Sequence, residues 1–173
     1  FNGMIGPMTP CSIKGVIWYQ GETDSAPATA PIYERSFSTM IGDWRNHWKE
    51  GNFPFLFVQI SSFHSPGEHW GMVRDQQRRT LAVSNTAMAV SLDVGTPGNV
   101  HPPDKQTVGA RLAVAARGMV YGEAVDYSGP MFRQATQDGA GMRVWFDHAQ
   151  GLTAKGGELA GFEIAGADKQ FVP

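Results

Sequence analysis

The chain predicts an α/β fold, a parallel sheet with helices between its strands, followed by a small β-rich region. Strand-length apolar runs alternate with helix-period segments through about residue 121, the order that builds parallel sheets. The first run, Val16-Ile17-Trp18-Tyr19, is continuously apolar, which suits a sheet covered on both faces. Beyond Tyr121 glycine becomes frequent and short segments alternate in polarity between turn residues, the pattern of paired antiparallel strands.

The first strand is expected over residues 13–19, ending at the polar turn Gln20-Gly21-Glu22. A loop from Ala26 to Pro31 follows, and Pro31 opens a helix because proline is tolerated in the first turn. Ile32, Phe37, Met40, Ile41, Trp44 and Trp48 recur at helical spacing over about 31–49, with Gly51 as the stop. Phe55 to Ile60 read as the second strand, and Ser61 to Gly67 as a polar loop in which His64 lies at the surface. A helix rich in Arg and Gln spans about 70–83, with His69 exposed before it and Trp70 packed on the domain. Arg74 and Gln77 on that helix either line a ligand cleft or, beside Arg78 and Arg79, form a solvated face, and the solvated face is the preferred reading. The third strand runs from Ala87 to Leu92 and ends at Asp93; the third helix covers 106–120. In the tail, strands are expected at 131–134, 142–146 and 162–164, which divides the chain into residues 1–123 and 124–173.

Composition excludes several classes of function. The 173 residues are 42 % hydrophobic and 17 % charged, the balance of a globular protein rather than a disordered one. A net charge of −2 with scattered Lys and Arg leaves no footprint for nucleic acid. No apolar run is long enough to span a bilayer. The single cysteine, Cys11, rules out an internal disulfide and reads as a packed or partly exposed thiol without a base to activate it. No Cys/His cluster has metal-ligand spacing, so neither metal nor other cofactor is expected.

Two segments carry chemistry. Gln20-Gly21-Glu22 lies just past a strand's carboxyl end, where open α/β sheets hold ligands, although it also reads as a solvated strand-to-helix turn. The second segment is Asp93-Val94-Gly95-Thr96-Pro97-Gly98-Asn99-Val100-His101-Pro102-Pro103-Asp104-Lys105. Its histidine precedes two prolines, each of which fixes its own φ and restricts the residue before it, and such stiffness suits a general base.

Asn2-Gly3-Met4-Ile5, the run from Ile13 to Glu22, and Asp93 through His101-Pro102-Pro103-Asp104-Lys105-Gln106 together resemble the sialate O-acetylesterase branch of the GDSL/SGNH hydrolases. Val144 to Ala149 and Gly161 to Gly166 resemble that family's β-rich accessory region. The resemblance implies part of an SGNH-type three-layer sheet in a serine esterase that removes acetyl groups from sugar hydroxyls. Its partner would be an O-acetylated glycan or small molecule, and its location secreted, periplasmic or lysosomal. By the resemblance His101 is the general base, and Gln20 with the Gly21 backbone holds the oxyanion. Many members place the acid three residues before the histidine, where this chain has Gly98; Glu22 and Asp93 are the candidates, and Glu22 is preferred. His148 receives no role. The family's Gly-x-Ser-Asn nucleophile turn occurs at none of the chain's serines, so the nucleophile is expected before Phe1 and the isolated chain is expected to be inactive. Acetylxylan esterase, or a non-catalytic carbohydrate-binding protein of the same fold, is the alternative.

Overall fold

The computed structural model describes residues 1–154 and 156–172. They divide into two units, Phe1–Ser128 and Gly129–Pro173. In the first, strand β1 (Val16–Trp18), helix α1 (Tyr33–Trp48), β2 (Phe55–Val58), α2 (Trp70–Arg79), β3 (Thr86–Ala89) and α3 (Lys105–Met119) follow in sequence order. The strands form a parallel sheet in the order β1-β2-β3, with Val16 opposite Phe55 and Phe55 opposite Thr86.

The alternation of side chains along β2 sorts the core into two layers. Phe55 and Phe57, both fully buried, face Phe37, Ile41 and Trp48 of α1 and Val73 of α2. The Phe37 ring meets Phe55 and Phe57 edge-on at 5.8 and 5.2 Å. Leu56 points the other way, onto Ala115 with Leu112 and Ala116 of α3 around it. Helices thus cover both faces of β2, the three-layer arrangement of the predicted α/β class, and burying each phenylalanine contributes about 2–3 kcal/mol.

Several elements differ from their expected form. β1 begins at Val16 because its ladder with β2 starts there, while the Ile13 amide donates to Glu50 instead. Its two faces are unequal: Trp18 packs among Phe37, Trp44 and Phe55, but Ile17 is 70 % exposed because α3 packs on β2 and β3 and leaves this face of β1 open. A pocket of about 160 Å³ lies along that uncovered face, lined by Val16, Ile17, Leu56, Ala116 and Val120. On α1 the buried stripe is Tyr33, Phe37, Ile41, Arg45 and Trp48, and Ile32 is exposed in the turn before the helix. Arg45 is buried because its guanidinium donates to the carbonyls of Phe53, Ser84 and Asn85. The helix stops at Lys49, which adopts the left-handed conformation two residues before Gly51. Strand β3 ends at Ala89, and Asp93 lies beyond it in a 3₁₀ turn, Leu92–Val94. Ser91 makes that bend by donating its hydroxyl to the Gln59 carbonyl at 2.6 Å. Cys11 is exposed.

In the second unit a hairpin joins β4 (Met131–Asp138) to β5 (Gly141–Asp147), with a bulge between Phe132 and Gln134. β6 (Ile164–Ala165) pairs antiparallel with β7 (Phe171–Val172), a short strand absent from the sequence reading. Among the described residues no helix is long and apolar enough to cross a membrane.

Candidate active site

The carboxyl ends of three parallel strands meet at one edge of the sheet. β1 leads into Gln20-Gly21-Glu22, β2 into Gln59-Ile60-Ser61, and β3 into the loop that carries Asp93 and His101. This is the edge where α/β sheets place ligands.

The Gln20 turn is clamped from two helices. Gln77 of α2 is 1 % exposed, and its Nε2 donates to the Gln20 carbonyl at 3.1 Å and the Val58 carbonyl at 3.3 Å. Its Oε1 accepts from the Ile60 amide at 2.9 Å, so one side chain ties the end of β1 to the end of β2. From α1 the Tyr33 hydroxyl lies 3.0 Å from the Gln20 carbonyl and 3.2 Å from Gln20 Oε1, two acceptors for its one proton. Burial pushes the Tyr33 hydroxyl up to about 12, which keeps it a donor at any physiological pH. Gly21 is buried at φ +145°, and a Cβ there would stand 2.9 Å from Gln77 Nε2, 3.1 Å from Ile60 Cγ2 and 3.3 Å from the Tyr33 hydroxyl oxygen. Only glycine takes that conformation and leaves room for the clamp.

Gln20 Nε2 donates to Asp24 Oδ2 at 2.5 Å, which orients the amide and leaves its second hydrogen without an acceptor among the described residues. Glu22 opens the 3₁₀ turn Thr23–Ser25, and its half-buried carboxylate makes no hydrogen bond or ion pair among the described residues. That turn is anchored through buried Ser25, whose hydroxyl lies 2.7 Å from both the Glu22 carbonyl and Glu68 Oε2.

The histidine loop is held on either side of its exposed ring. Pro102 is fully buried, Val100 packs on the main core, and Asn99 Oδ1 accepts from the His101 amide at 2.9 Å. Asp104 caps α3 by accepting from the Thr107 amide and hydroxyl, which hold its carboxyl below the usual range. One helical position on, Lys105 sets its ammonium 5.0 Å from the centre of the Tyr19 ring, so the segment bearing His101 reaches the segment bearing Gln20. A Cβ at Gly95 would overlap Ser62, and the His64 amide donates to the Pro97 carbonyl, so the loops after β2 and β3 pack together.

The structure therefore places Gln20, Gly21, Glu22, Asp93 and His101 at one edge, but no hydrogen bond or ion pair among the described residues joins the His101 ring to Gln20 or Glu22. Asp93 gives both oxygens to Arg111, at 2.6 and 2.7 Å. Arg111 also donates to the Val90 carbonyl and is held above its usual pKa by Asp93. Among the described residues no group of three or more His, Cys, Asp or Glu side chains gathers to hold a metal ion.

Sequence reasoning placed Gln77 on a solvated face and passed over Tyr33. Trp70, Val73 and Gln77 are spaced by three and four residues and occupy the buried face of α2, so period alone could have found Gln77. Trp70, 7 % exposed, donates its Nε1 to the Ser61 carbonyl at 2.6 Å, in keeping with a packed tryptophan; His64 and His69 are exposed.

A family model described as a carbohydrate esterase, sialic acid-specific acetylesterase, matches residues 4–117. The sialate O-acetylesterases of Mus musculus and Homo sapiens are each 36 % identical over 152 residues, covering 76 % of this chain. The chain spans 28 % and 29 % of their lengths. The crystal structure of a carbohydrate acetylesterase from Xanthomonas citri superposes with a TM-score of 0.94 at 43 % identity, covering 99 % of this chain and 41 % of that one. A protein from Arabidopsis thaliana gives a TM-score of 0.52 at 25 % identity over 64 % of this chain. With a match across most of the first unit, including both the Gln20 turn and the His101 loop, this chain belongs to the sialic acid-specific acetylesterase family of carbohydrate esterases.

Proposed function

We propose that this chain supplies the general base, the acid and part of the oxyanion hole of a carbohydrate O-acetylesterase acting on O-acetylated sialic acid, with its nucleophilic serine provided from outside these residues. The observation that carries the reading is the convergence of the clamped Gln20-Gly21-Glu22 turn and the buttressed His101 loop at one sheet edge, bridged by Lys105 over Tyr19. The names and extent of the relatives support the substrate class.

In this mechanism His101 accepts the serine proton as the serine oxygen attacks the acetyl carbonyl. The free hydrogen of Gln20 Nε2 and the Gly21 amide donate to the oxyanion that develops, a donor of this kind contributing roughly 3 kcal/mol. The tetrahedral intermediate collapses, His101 returns the proton to the departing sugar oxygen, and an acetyl-serine remains. Water, deprotonated by His101, then attacks that ester and releases acetate. Glu22 is the acid assigned to hold the imidazole: its carboxylate has no partner among the described residues, whereas both Asp93 oxygens are occupied by Arg111.

In the intact protein, His101→Ala should lower acetyl ester hydrolysis by at least 1,000-fold with the fold retained, on the order of the loss of a triad member. Full activity of that variant would defeat the reading. Cleavage of acetylated xylan with O-acetyl sialic acid untouched would move the substrate to xylan; binding of glycans without any ester hydrolysis would make the protein a carbohydrate-binding module.

A further inference from the structure

Arg74 stands apart from Arg45, Arg78, Arg79 and Arg111 of the first unit. Arg78 and Arg79 both pair with Asp75, Arg111 pairs with Asp93, and buried Arg45 donates to three carbonyl groups. Arg74 is half-buried, and no carboxylate among the described residues pairs with it. Among the described residues its guanidinium makes one long hydrogen bond, from Nη1 to the Ser61 carbonyl at 3.3 Å, out of the five donors it carries. Withdrawing a cation from water without a counter-charge is unfavourable, and the burial holds this guanidinium below its usual pKa. An arginine in that condition is incomplete without an anion.

Its position is that of the proposed site. Ser61 follows Ile60, whose amide is held by the same Gln77 that holds Gln20, and precedes Ser62, which abuts Gly95 of the His101 loop. The guanidinium therefore lies at the middle strand of the edge, flanked by the two segments assigned to the chemistry. Gly71 is the neighbour of Nη2, at 4.0 Å from where a Cβ would stand, so no side chain of that residue fills the space beside it. The planar fork of an arginine matches a carboxylate through two parallel hydrogen bonds. Sialic acids carry a carboxylate, whereas a neutral acetylated xylose unit does not.

We propose that the Arg74 guanidinium is the anion-recognising group of the site and pairs with the carboxylate of the acetylated sugar, which makes it a specificity-determining residue. The inference rests on the esterase reading. In the intact protein, kcat/KM is measured for 9-O-acetyl-N-acetylneuraminic acid and for its methyl ester, which masks the carboxylate, and the ratio of the two is the readout. Wild type favours the free acid. Arg74→Gln lowers that ratio by at least 20-fold, on the order of one buried charge-assisted pair, and Arg74→Lys lowers it less because the charge remains. Equal losses on both substrates, or an unchanged ratio, would overturn the proposal. Should Arg74→Gln fail to fold, the decision passes to Arg74→Lys, where an unchanged ratio overturns it. Calorimetric binding of unacetylated N-acetylneuraminic acid separates the two readings. Binding lost in the variant, with no ester hydrolysis by wild type, would defeat the esterase and leave the anion site. Hydrolysis with no carboxylate-dependent preference would do the reverse.

Discussion

Replacing Gln77 with methionine keeps the unbranched shape and approximate volume of the side chain while removing every hydrogen bond it makes. Three bonds are lost: the acceptor for the Ile60 amide at 2.9 Å, and the donors to the Gln20 and Val58 carbonyls at 3.1 and 3.3 Å. The Gln20 carbonyl keeps the Tyr33 hydroxyl as a partner, so its loss is small. The Ile60 amide belongs to a fully buried residue, and leaving such a donor unpaired costs about 1–3 kcal/mol. Adding roughly 1 kcal/mol for the two net bonds to carbonyls gives a destabilisation of about 2–4 kcal/mol. Urea unfolding of the intact protein, followed by intrinsic tryptophan fluorescence, measures it as a fall in midpoint without a change in slope. Gln77 is a positioning residue, so the same variant should lower kcat more than it raises KM, because the Gln20 amide would no longer be held for the oxyanion. A destabilisation below about 0.5 kcal/mol would refute the reasoning that Gln77 satisfies buried backbone; stability lost with kcat intact would confine its part to the fold.

Gly21→Ala should cost about 2–4 kcal/mol and most of the activity, since a Cβ would crowd Gln77, Ile60 and Tyr33 at a φ of +145°; near-wild-type melting and turnover would contradict the clamp. Tyr33, with its hydroxyl pushed by burial from the ordinary 10.0 up to about 12, binds its proton more tightly folded than unfolded. That contribution is fully present below pH 10 and is lost as pH rises toward 12, about 2–3 kcal/mol in all. Tyr33→Phe should flatten the alkaline limb of the stability profile, and an unaltered limb would count against it. Glu22→Gln should reduce kcat by two orders of magnitude or more, whereas Asp93→Asn should mainly loosen the tie to Arg111 and lower stability by less than about 1 kcal/mol; the opposite ranking in steady-state kinetics would move the acid to Asp93.

The order of elements was legible in the chain because periodicity is local: an apolar run bounded by turn residues states its strand, and a 3.6-residue stripe its helix. For the same reason Gln20 just past the first strand and His101 in the loop after the third could be read directly. Boundaries were less accessible. β1 is three residues long because pairing with β2 begins at Val16, and β3 ends early because Ser91 bonds across to Gln59, events that depend on a neighbour distant in sequence. The uncovered Ile17 face of β1 has the same origin, since coverage of a strand depends on where a helix docks.

What the amino-acid order determined by itself was the α/β class, the sequence of strands and helices, and which polar residues follow each strand, because all three are properties of short contiguous segments. Only the tertiary structure decided that Gln77 and Tyr33 grip the Gln20 turn, that Asp93 answers Arg111, and that Arg74 reaches the Ser61 carbonyl beyond the middle strand. Each is a pairing of polar groups brought together by packing. A glutamine or an arginine has the same local preference in a solvated helix as in a buried one, so its partner is set by the surface its helix meets.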